Sequence, residues 1–234
     1  MKKACQRTLD DLGLDYLDLY LIHFPISLEF VDFDKKYPPE WVNMDGKMVL
    51  TKQDITETWK EMEHLKNIGM VTSIGVSNFN SALLRQIYNI SRHPPETMQI
   101  ELHPYLSQEK LIKQCREYGM EIMGFSPLGA KSYFELNMAT HDQDLTNHFS
   151  ILGLSVKYGK TAVQILLRWG VQRGTIPICK SSSSGHMLEN IDIFDFWLET
   201  SDMDLIDGLN KDKRFNDPGE FCLAAFGTFC PIYD

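Results

Sequence analysis

Apolar and polar positions along the chain follow two spacings, and each spacing predicts its own kind of element. LDLYLIH (17–23) is apolar for most of its length, with Pro25 just beyond, which is typical of a strand buried on both faces. The predicted helix 53–68, which contains DITETWKEMEHLKNI (54–68), places Ile55, Trp59, Met62 and Leu65 on one helical face. The two kinds of segment alternate along the chain, and this alternation predicts a parallel sheet with crossover helices.

The pattern predicts five strands, each followed by helix. The predicted strands are 17–23, 73–79, 97–105, 121–129 and 175–181. The predicted helices are 2–12, 53–68, 80–90, 107–117, 148–158, 161–174, 186–191 and 201–210. The remaining long stretches are two predicted loops and an irregular tail, at 27–50, 131–147 and 211–234.

Polar side chains stand where the predicted strands end, as at His23, Asn78, His103, Ser126 and Lys180. In a (β/α)₈ barrel the active site is built at this end of the strands. A doubly wound open sheet would also bind ligands there, but no GxGxxG follows a strand in this sequence. Five strands cannot close an eight-stranded barrel. We therefore expect an α/β chain forming one incomplete TIM-barrel domain over 1–234, with about three βα units absent.

Composition narrows the possible functions. The 234 residues are 43% hydrophobic and carry a formal net charge of −9, which argues against a nucleic-acid partner or an anionic membrane surface. The five cysteines are scattered without CxxC spacing, as expected of reduced thiols in a cytoplasmic protein. The start of the chain has no apolar stretch of signal-peptide length, and no segment is apolar enough to span a bilayer.

Two motifs are candidates for chemistry. ICKSSSSGHMLEN (178–190) places Lys180, serine hydroxyls and a predicted helix N-terminus directly after a strand, an arrangement that favours phosphate binding over a flexible linker. His23 alone suits either a structural or a chemical role. His103 has no second ligand at metal spacing, so no metal site is predicted. Phe125, at the end of a strand, suits either the core or stacking on a flat ring.

LDYLDLYLIHFP, IGVSNF, QIELHPYL, GFSPLG and IPICKS, in this order, resemble the aldo-keto reductase family. The resemblance runs from about residue 4 to the end. The LIHFP form, the KYPP loop and RFNDP (214–218) are most similar to the aldose and xylose reductase branch. Membership would imply a (β/α)₈ barrel that uses NADPH or NADH to reduce a sugar or aldehyde carbonyl to an alcohol.

The resemblance also implies roles for individual residues. His23 matches the family's carbonyl-orienting histidine, and Phe24 and Asn216 match positions that line the sugar site. The nicotinamide side would be bound by Ser77, Asn78, Gln99 and the stacking residue Phe125. The pyrophosphate and adenosine side would be bound by Ser126, Pro127, Leu128, Lys180, Ser181, Ser182, His186, Glu189 and Asn190.

The sequence departs from the family pattern at several of these positions. Phe125 replaces a tyrosine and keeps the stacking face. Thr72 replaces a basic or amide residue, with little effect expected, and Cys179 replaces a proline before Lys180. His186 replaces an arginine that grips the 2′-phosphate of NADP, and a neutral imidazole cannot make that bidentate contact. We therefore expect weakened NADP selectivity and use of NADH.

The family's proton-donating tyrosine, with its lysine and aspartate, would precede residue 1. Tyr16 and Tyr20 match structural positions and cannot replace it, so we expect this chain to be N-terminally truncated and inactive by itself. The alternative is a non-catalytic remnant that binds nucleotide or a partner. Regulatory channel subunits of the superfamily fit the motifs less well. A phosphate-binding isomerase or aldolase would need a catalytic lysine or glutamate at a strand end, where only Lys180 qualifies.

Overall fold

The computed structural model describes residues 1–233. Five strands form one sheet in the order β1-β2-β3-β4-β5. β1 runs parallel to β2, and β4 runs parallel to β5. The strands are β1 Leu17–Ile22, β2 Val71–Ser77, β3 Thr97–Glu101, β4 Glu121–Phe125 and β5 Ile176–Ile178.

Helices follow every strand. One further helix, α1 Lys2–Leu12, precedes β1. The helices after it are α2 Ile55–Asn67, α3 Ser81–Ile90, α4 Glu109–Glu117, α5 Phe149–Tyr158, α6 Ala162–Gln172, α7 Ser184–Ile191, α8 Thr200–Asp207 and α9 Pro218–Phe226. The predicted loop 27–50 has no helix or strand beyond an isolated bridge between Leu28 and Leu50. The other predicted loop contains three short 3₁₀ turns.

The irregular tail predicted over 211–234 was wrong in part, because it contains α9. The Asp217 carboxylate accepts the Gly219 N–H at 2.8 Å and caps the helix, while Pro218 occupies its first position. The Cys222 thiol then packs with Met48 and Cys230 in a buried apolar cluster. The helix was missed because its stabilising contacts are distant in sequence.

The expectation that β1 is buried on both faces was also wrong. Only its ends, Leu17 and Ile22, are buried, while Asp18 is exposed and the three residues between Asp18 and Ile22 are half-buried. The apolar run indicated the strand correctly but overstated its coverage.

The chain divides into two compact units. The first comprises Met1–Met98 and the segment from Asp217 onward, and the second comprises Gln99–Asn216. In the first unit, the predicted helical face of α2 is the core face, with Trp59, Met62 and Leu65 fully buried beside the apolar face of α3. The predicted single-domain organisation stays a prediction.

The second unit is built around α6. Leu166 and Trp169 are almost fully buried, and the Trp169 Nε1–H donates to the Asp207 carboxylate of α8 at 2.8 Å. A Thr161–Gln164 capping box begins the helix. This helix supports β5 and the serine-rich segment that follows it.

Candidate functional site

His23 follows β1 directly, in the first unit. Its ring lies 4.6 Å from that of Phe24, and the Phe24 ring makes an edge contact with Trp41 at 5.2 Å. All three side chains line a cavity of about 360 Å³ that also includes Glu40. The cavity combines an ionisable imidazole with aromatic faces, a composition typical of a small-molecule site.

The electrostatics of this cavity favour an uncharged imidazole. Desolvation by the surrounding protein atoms lowers the pKa of His23 below its ordinary value, although the residue as a whole is still exposed to solvent. A neutral imidazole carries one N–H donor and one acceptor nitrogen. At neutral pH His23 can therefore donate a hydrogen bond to a carbonyl oxygen without contributing a full charge.

Asn78 and Ser77 lie at the end of β2 in the same unit and are both almost fully buried. The Asn78 amide donates to the His23 carbonyl at 2.8 Å and to Ser77 Oγ at 3.1 Å. Its Oδ1 accepts the Tyr233 hydroxyl at 3.0 Å, and its backbone has φ 61°. A non-glycine residue in this left-handed region is held by its surroundings, and such strain clusters at functional sites.

The second unit contains the remaining predicted residues of the nicotinamide side. Phe125 is the last residue of β4 and is half-buried, as is Gln99 on β3. Ser126 follows with φ 51° and begins a turn in which the Gly129 N–H donates to its carbonyl at 2.8 Å. Pro127 and Leu128 occupy the middle of that turn.

Tyr133 was not identified from the sequence. Its hydroxyl lies 2.7 Å from Ser126 Oγ, and its ring stacks on Phe215 at 5.7 Å. Burial and the nearby Glu101 carboxylate raise the pKa of Tyr133 to about 12, although hydrogen bonds to Ser126 and Asn216 oppose the shift. The loop around Tyr133 has no strong periodicity, so the sequence carried no signal for this residue.

Glu101 and His103 were also missed as a pair. Both side chains are fully buried, and His103 Nε2 lies 2.9 Å from Glu101 Oε1. The Glu101 carboxylate accepts the backbone N–H groups of Phe215 at 2.8 Å and Asn216 at 2.9 Å. Burial works to raise the pKa of Glu101, but these hydrogen bonds outweigh it and hold the pKa below its ordinary value. The spacing E-x-H within a strand end is the signal that could have indicated the pair.

The predicted phosphate-binding segment follows β5. Ser181 Oγ accepts the Ser183 N–H at 3.1 Å, and Ser183 Oγ accepts the His186 N–H at 3.4 Å, which caps α7. Lys180 and Ser182 are exposed, and Ser181 is half-buried. The segment therefore presents a cation, hydroxyls and a helix N-terminus to an incoming anion.

The adenosine-side residues lie on α7 and differ in their surroundings. The His186 imidazole is exposed in the first turn. The Glu189 carboxylate accepts the Thr161 hydroxyl, which ties α7 to the start of α6. Asn190 hydrogen-bonds Cys179 and opposes the upward shift that burial gives to the pKa of that thiol. Glu189 and Asn190 thus also hold α7 in place.

Residues 1–233 contain neither a cluster suited to a metal ion nor a membrane-spanning helix. No group of three or more His, Cys, Asp or Glu side chains in this range could hold a metal ion. None of the helices in the same range is long and apolar enough to cross a membrane.

Comparison with known proteins identifies the family. The aldo/keto reductase family model matches residues 1–211. The chain is 42% identical, over 95% of its length and 70% of the relative's, to a probable NAD(P)H-dependent D-xylose reductase of Emericella nidulans. It is 39% identical to the protein of the same description from Aspergillus clavatus, over its full length and 73% of the relative's. A solved aldose reductase from Schistosoma japonicum superposes with a TM-score of 0.79 at 32% identity, covering 97% of this chain and 67% of that one.

The chain belongs to the aldo/keto reductase family, an oxidoreductase family, and it is similar to xylose reductases and to an aldose reductase. The recognition from motifs and the enzyme class are therefore confirmed. So is the fold class, an α/β fold of the TIM-barrel type, of which the five-stranded sheet is an incomplete form. The roles of the individual site residues stay predictions.

Proposed function

We propose that the chain contributes to NAD(P)H-dependent reduction of an aldose or aldehyde carbonyl to the alcohol. The observation that carries the proposal is the His23 imidazole in a cavity with Phe24 and Trp41. His23 donates a hydrogen bond to the carbonyl oxygen and so orients it. Phe24 contacts the sugar in this cavity. Asn216, in the second unit, is the other residue that we assign to the substrate. NAD(P)H, when bound, supplies the hydride to the carbonyl carbon.

The residues present suit a dinucleotide by their donor chemistry. On the first unit, the Ser77 hydroxyl would donate to the nicotinamide carboxamide, and Asn78 Oδ1 would bind it in exchange for its present contact with the Tyr233 hydroxyl. On the second, Gln99 adds an amide and Phe125 a ring face for stacking. The pyrophosphate and adenosine groups are bound by Ser126, Pro127, Leu128, Lys180, Ser181, Ser182, His186, Glu189 and Asn190.

We propose that both NADPH and NADH bind. The exposed His186 imidazole offers at most one donor to a 2′-phosphate, whereas an arginine offers a bidentate pair of charged donors. Lys180 and the α7 N-terminus still favour an anion, so NADPH is not excluded. The names of the two fungal relatives, which allow either cofactor, support this assignment.

We further propose that the 234-residue polypeptide assayed alone does not turn over. Carbonyl reduction consumes one proton in addition to the hydride, and the proton needs an acidic donor. Burial raises the pKa of Tyr20 and of Tyr133, the latter to about 12, so neither hydroxyl is tuned as an acid. A polypeptide that binds nucleotide without turnover would act as a nucleotide-binding module.

The substrates are small molecules, and we place the reaction in the cytoplasm. The five cysteines are all free thiols, which suits a reducing compartment.

One experiment tests both parts of the proposal. NADPH and NADH are titrated into the purified chain by calorimetry, and oxidation of each is then followed at saturating D-xylose or glyceraldehyde. We expect saturable binding of both nucleotides and oxidation at the rate of the protein-free blank. Saturable aldose reduction would contradict the proposal that the polypeptide alone does not turn over. Absence of nucleotide binding would contradict the cofactor assignment. His23→Asn, which keeps an N–H donor, serves as the control for nucleotide binding.

A further inference from the structure

The segment 210–216 is attached to the turn after β3 by hydrogen bonds from several residues. The Lys211 and Lys213 N–H groups donate to the Tyr105 carbonyl at 3.1 and 2.9 Å. The Asn210 side-chain oxygen accepts the Ser107 N–H at 3.1 Å. The segment therefore has a defined position despite being neither helix nor strand.

Its far end is held by a single buried carboxylate. Glu101 accepts the N–H groups of Phe215 and Asn216, one on each oxygen, and its Oε1 also contacts His103. Within residues 1–233, His103 Nδ1 has no hydrogen-bond partner, and the ring is fully buried. A buried carboxylate with three hydrogen-bond partners holds those partners in place, because losing one of them leaves the charge uncompensated.

Tyr133 connects this segment to the turn 126–129. Its hydroxyl is 2.7 Å from Ser126 Oγ, while its ring stacks at 22° on Phe215, which lies next to Asn216. Only 6% of Tyr133 is exposed, so the contacts on both sides of the ring are protected from water. Ser126 and the segment that Glu101 holds thus contact the same side chain, Tyr133.

We propose that Tyr133 is a positioning residue that couples the cofactor side of the site, through Ser126, to the substrate residue Asn216, with Glu101 as the anchor of the coupled segment. The inference rests on the proposed function, which assigns Ser126 to the dinucleotide and Asn216 to the substrate. Nucleotide contact with Ser126 fixes the Tyr133 hydroxyl and, through the ring, the 210–216 segment. The substrate side is thus ordered once the cofactor is bound.

Hydrogen exchange of peptides covering 210–216, with and without saturating NADPH, tests the coupling in the full chain. In the wild type we expect NADPH to slow exchange of Phe215 and Asn216 by about fivefold or more, the lower end of typical coupling between sites. Tyr133→Phe keeps the stacked ring and removes only the hydroxyl that bonds Ser126. In this variant the slowing should disappear while NADPH still binds.

Two further variants serve as controls for the exchange experiment. Glu101→Gln should exchange rapidly at Phe215 and Asn216 with or without NADPH, because the anchor is weakened. Tyr16→Phe, at a half-exposed tyrosine of the first unit, should retain the wild-type response. NADPH binding with unchanged exchange in the wild type, or full slowing in Tyr133→Phe, would overturn the coupling alone. Failure of the wild type to bind NADPH in the parallel titration would overturn the proposed function and the coupling together.

Discussion

We expect His186 to stand where the family has an arginine that contacts the 2′-phosphate, so cofactor preference is best tested at this residue. The imidazole is exposed on the first turn of α7, and its backbone N–H is already bound by the Ser183 cap. A substitution there alters what the side chain offers to a 2′-phosphate and leaves the cap in place. Cofactor preference can therefore be changed without disturbing the helix.

We expect His186→Arg to tighten NADPH binding while leaving NADH binding almost unchanged. A bidentate, charge-assisted contact is worth roughly 1.5–3 kcal/mol, or about 10- to 100-fold in affinity. Calorimetric dissociation constants for both nucleotides measure the ratio. His186→Gln is the matched neutral control and should keep the wild-type ratio. Equal tightening for NADH would show that the arginine acts on a part of the nucleotide that both cofactors share.

Because hydrogen bonds stabilise the ionised Glu101 carboxylate, we expect the free energy of unfolding to depend on pH. Its pKa in the folded chain lies below the ordinary value of 4.5. The ionised carboxylate therefore contributes stability that is fully present above pH 4.5 and is lost as the pH falls through the folded-state pKa. Glu101→Gln lacks this contribution at every pH.

The free energy of unfolding in urea, compared between wild type and Glu101→Gln from pH 7 to pH 4, measures this term. We expect the wild type to be more stable by about 3 kcal/mol or more near pH 7, since a buried charged network is broken. The difference should shrink below pH 4.5. A difference that stays constant through the acid range would mean that Glu101 is protonated or weakly coupled in the folded chain.

Among the elements, strands and helices could be predicted from periodicity, whereas the positions of their ends could not. The predicted strand 97–105 ends at Glu101, and the predicted strand 121–129 ends at Phe125. In each case the polar or turn-forming residues after the strand were included because their spacing still looked extended. Ser126 and Asn78 adopt left-handed backbone conformations that local propensity does not favour and only tertiary contacts sustain.

The candidate site shows the same division. His23, Ser77 and Phe125 could be predicted as site residues because they stand at strand ends or within a motif. Tyr133 and Glu101 were missed because their roles depend on contacts with Phe215, which lies 82 and 114 residues further along the chain. Sequence patterns indicate which residues are neighbours within one helix or strand, whereas these contacts join residues of different segments.

Gly75 provides a test at the scale of a single strand. A Cβ atom at this position of β2 would lie 2.4 Å from the Thr97 carbonyl oxygen and 2.7 Å from Leu21 Cδ2. Because a backbone atom cannot move aside cheaply, we expect Gly75→Ala to lower the free energy of unfolding by about 1–3 kcal/mol. Urea denaturation measures the loss. Gly153→Ala is the matched control, since no atom lies within 4 Å of its Cβ, and in the helical α5 it should stabilise the chain by about 0.5–1 kcal/mol. An unchanged stability for Gly75→Ala would mean that β2 can shift to admit the methyl group.

At the scale of the molecule, the acidic charge and the exposed apolar surface act in opposite directions. The net charge of −9 opposes association between copies. Against it, β5 is the last strand of the sheet and exposes Ile176. With Ile191 and Phe194, Ile176 lines an apolar cavity of about 470 Å³ in the second unit. Ile191 and Phe194 are 69% and 68% exposed, which is unusual for a contiguous group of large apolar side chains.

We expect apolar burial to dominate at ordinary ionic strength, because salt screens the charge repulsion over about 8–10 Å and leaves the hydrophobic contact unaffected. Sedimentation velocity should therefore show increasing self-association as the protein concentration is raised from the micromolar range upward. Ile191→Lys places a charge in the cavity lining and should weaken association. Val156→Lys, on the exposed face of α5 and outside this cavity, should not. A monomer at every concentration, with a sharp cooperative melt, would show that the exposed edge of β5 is tolerated in solution.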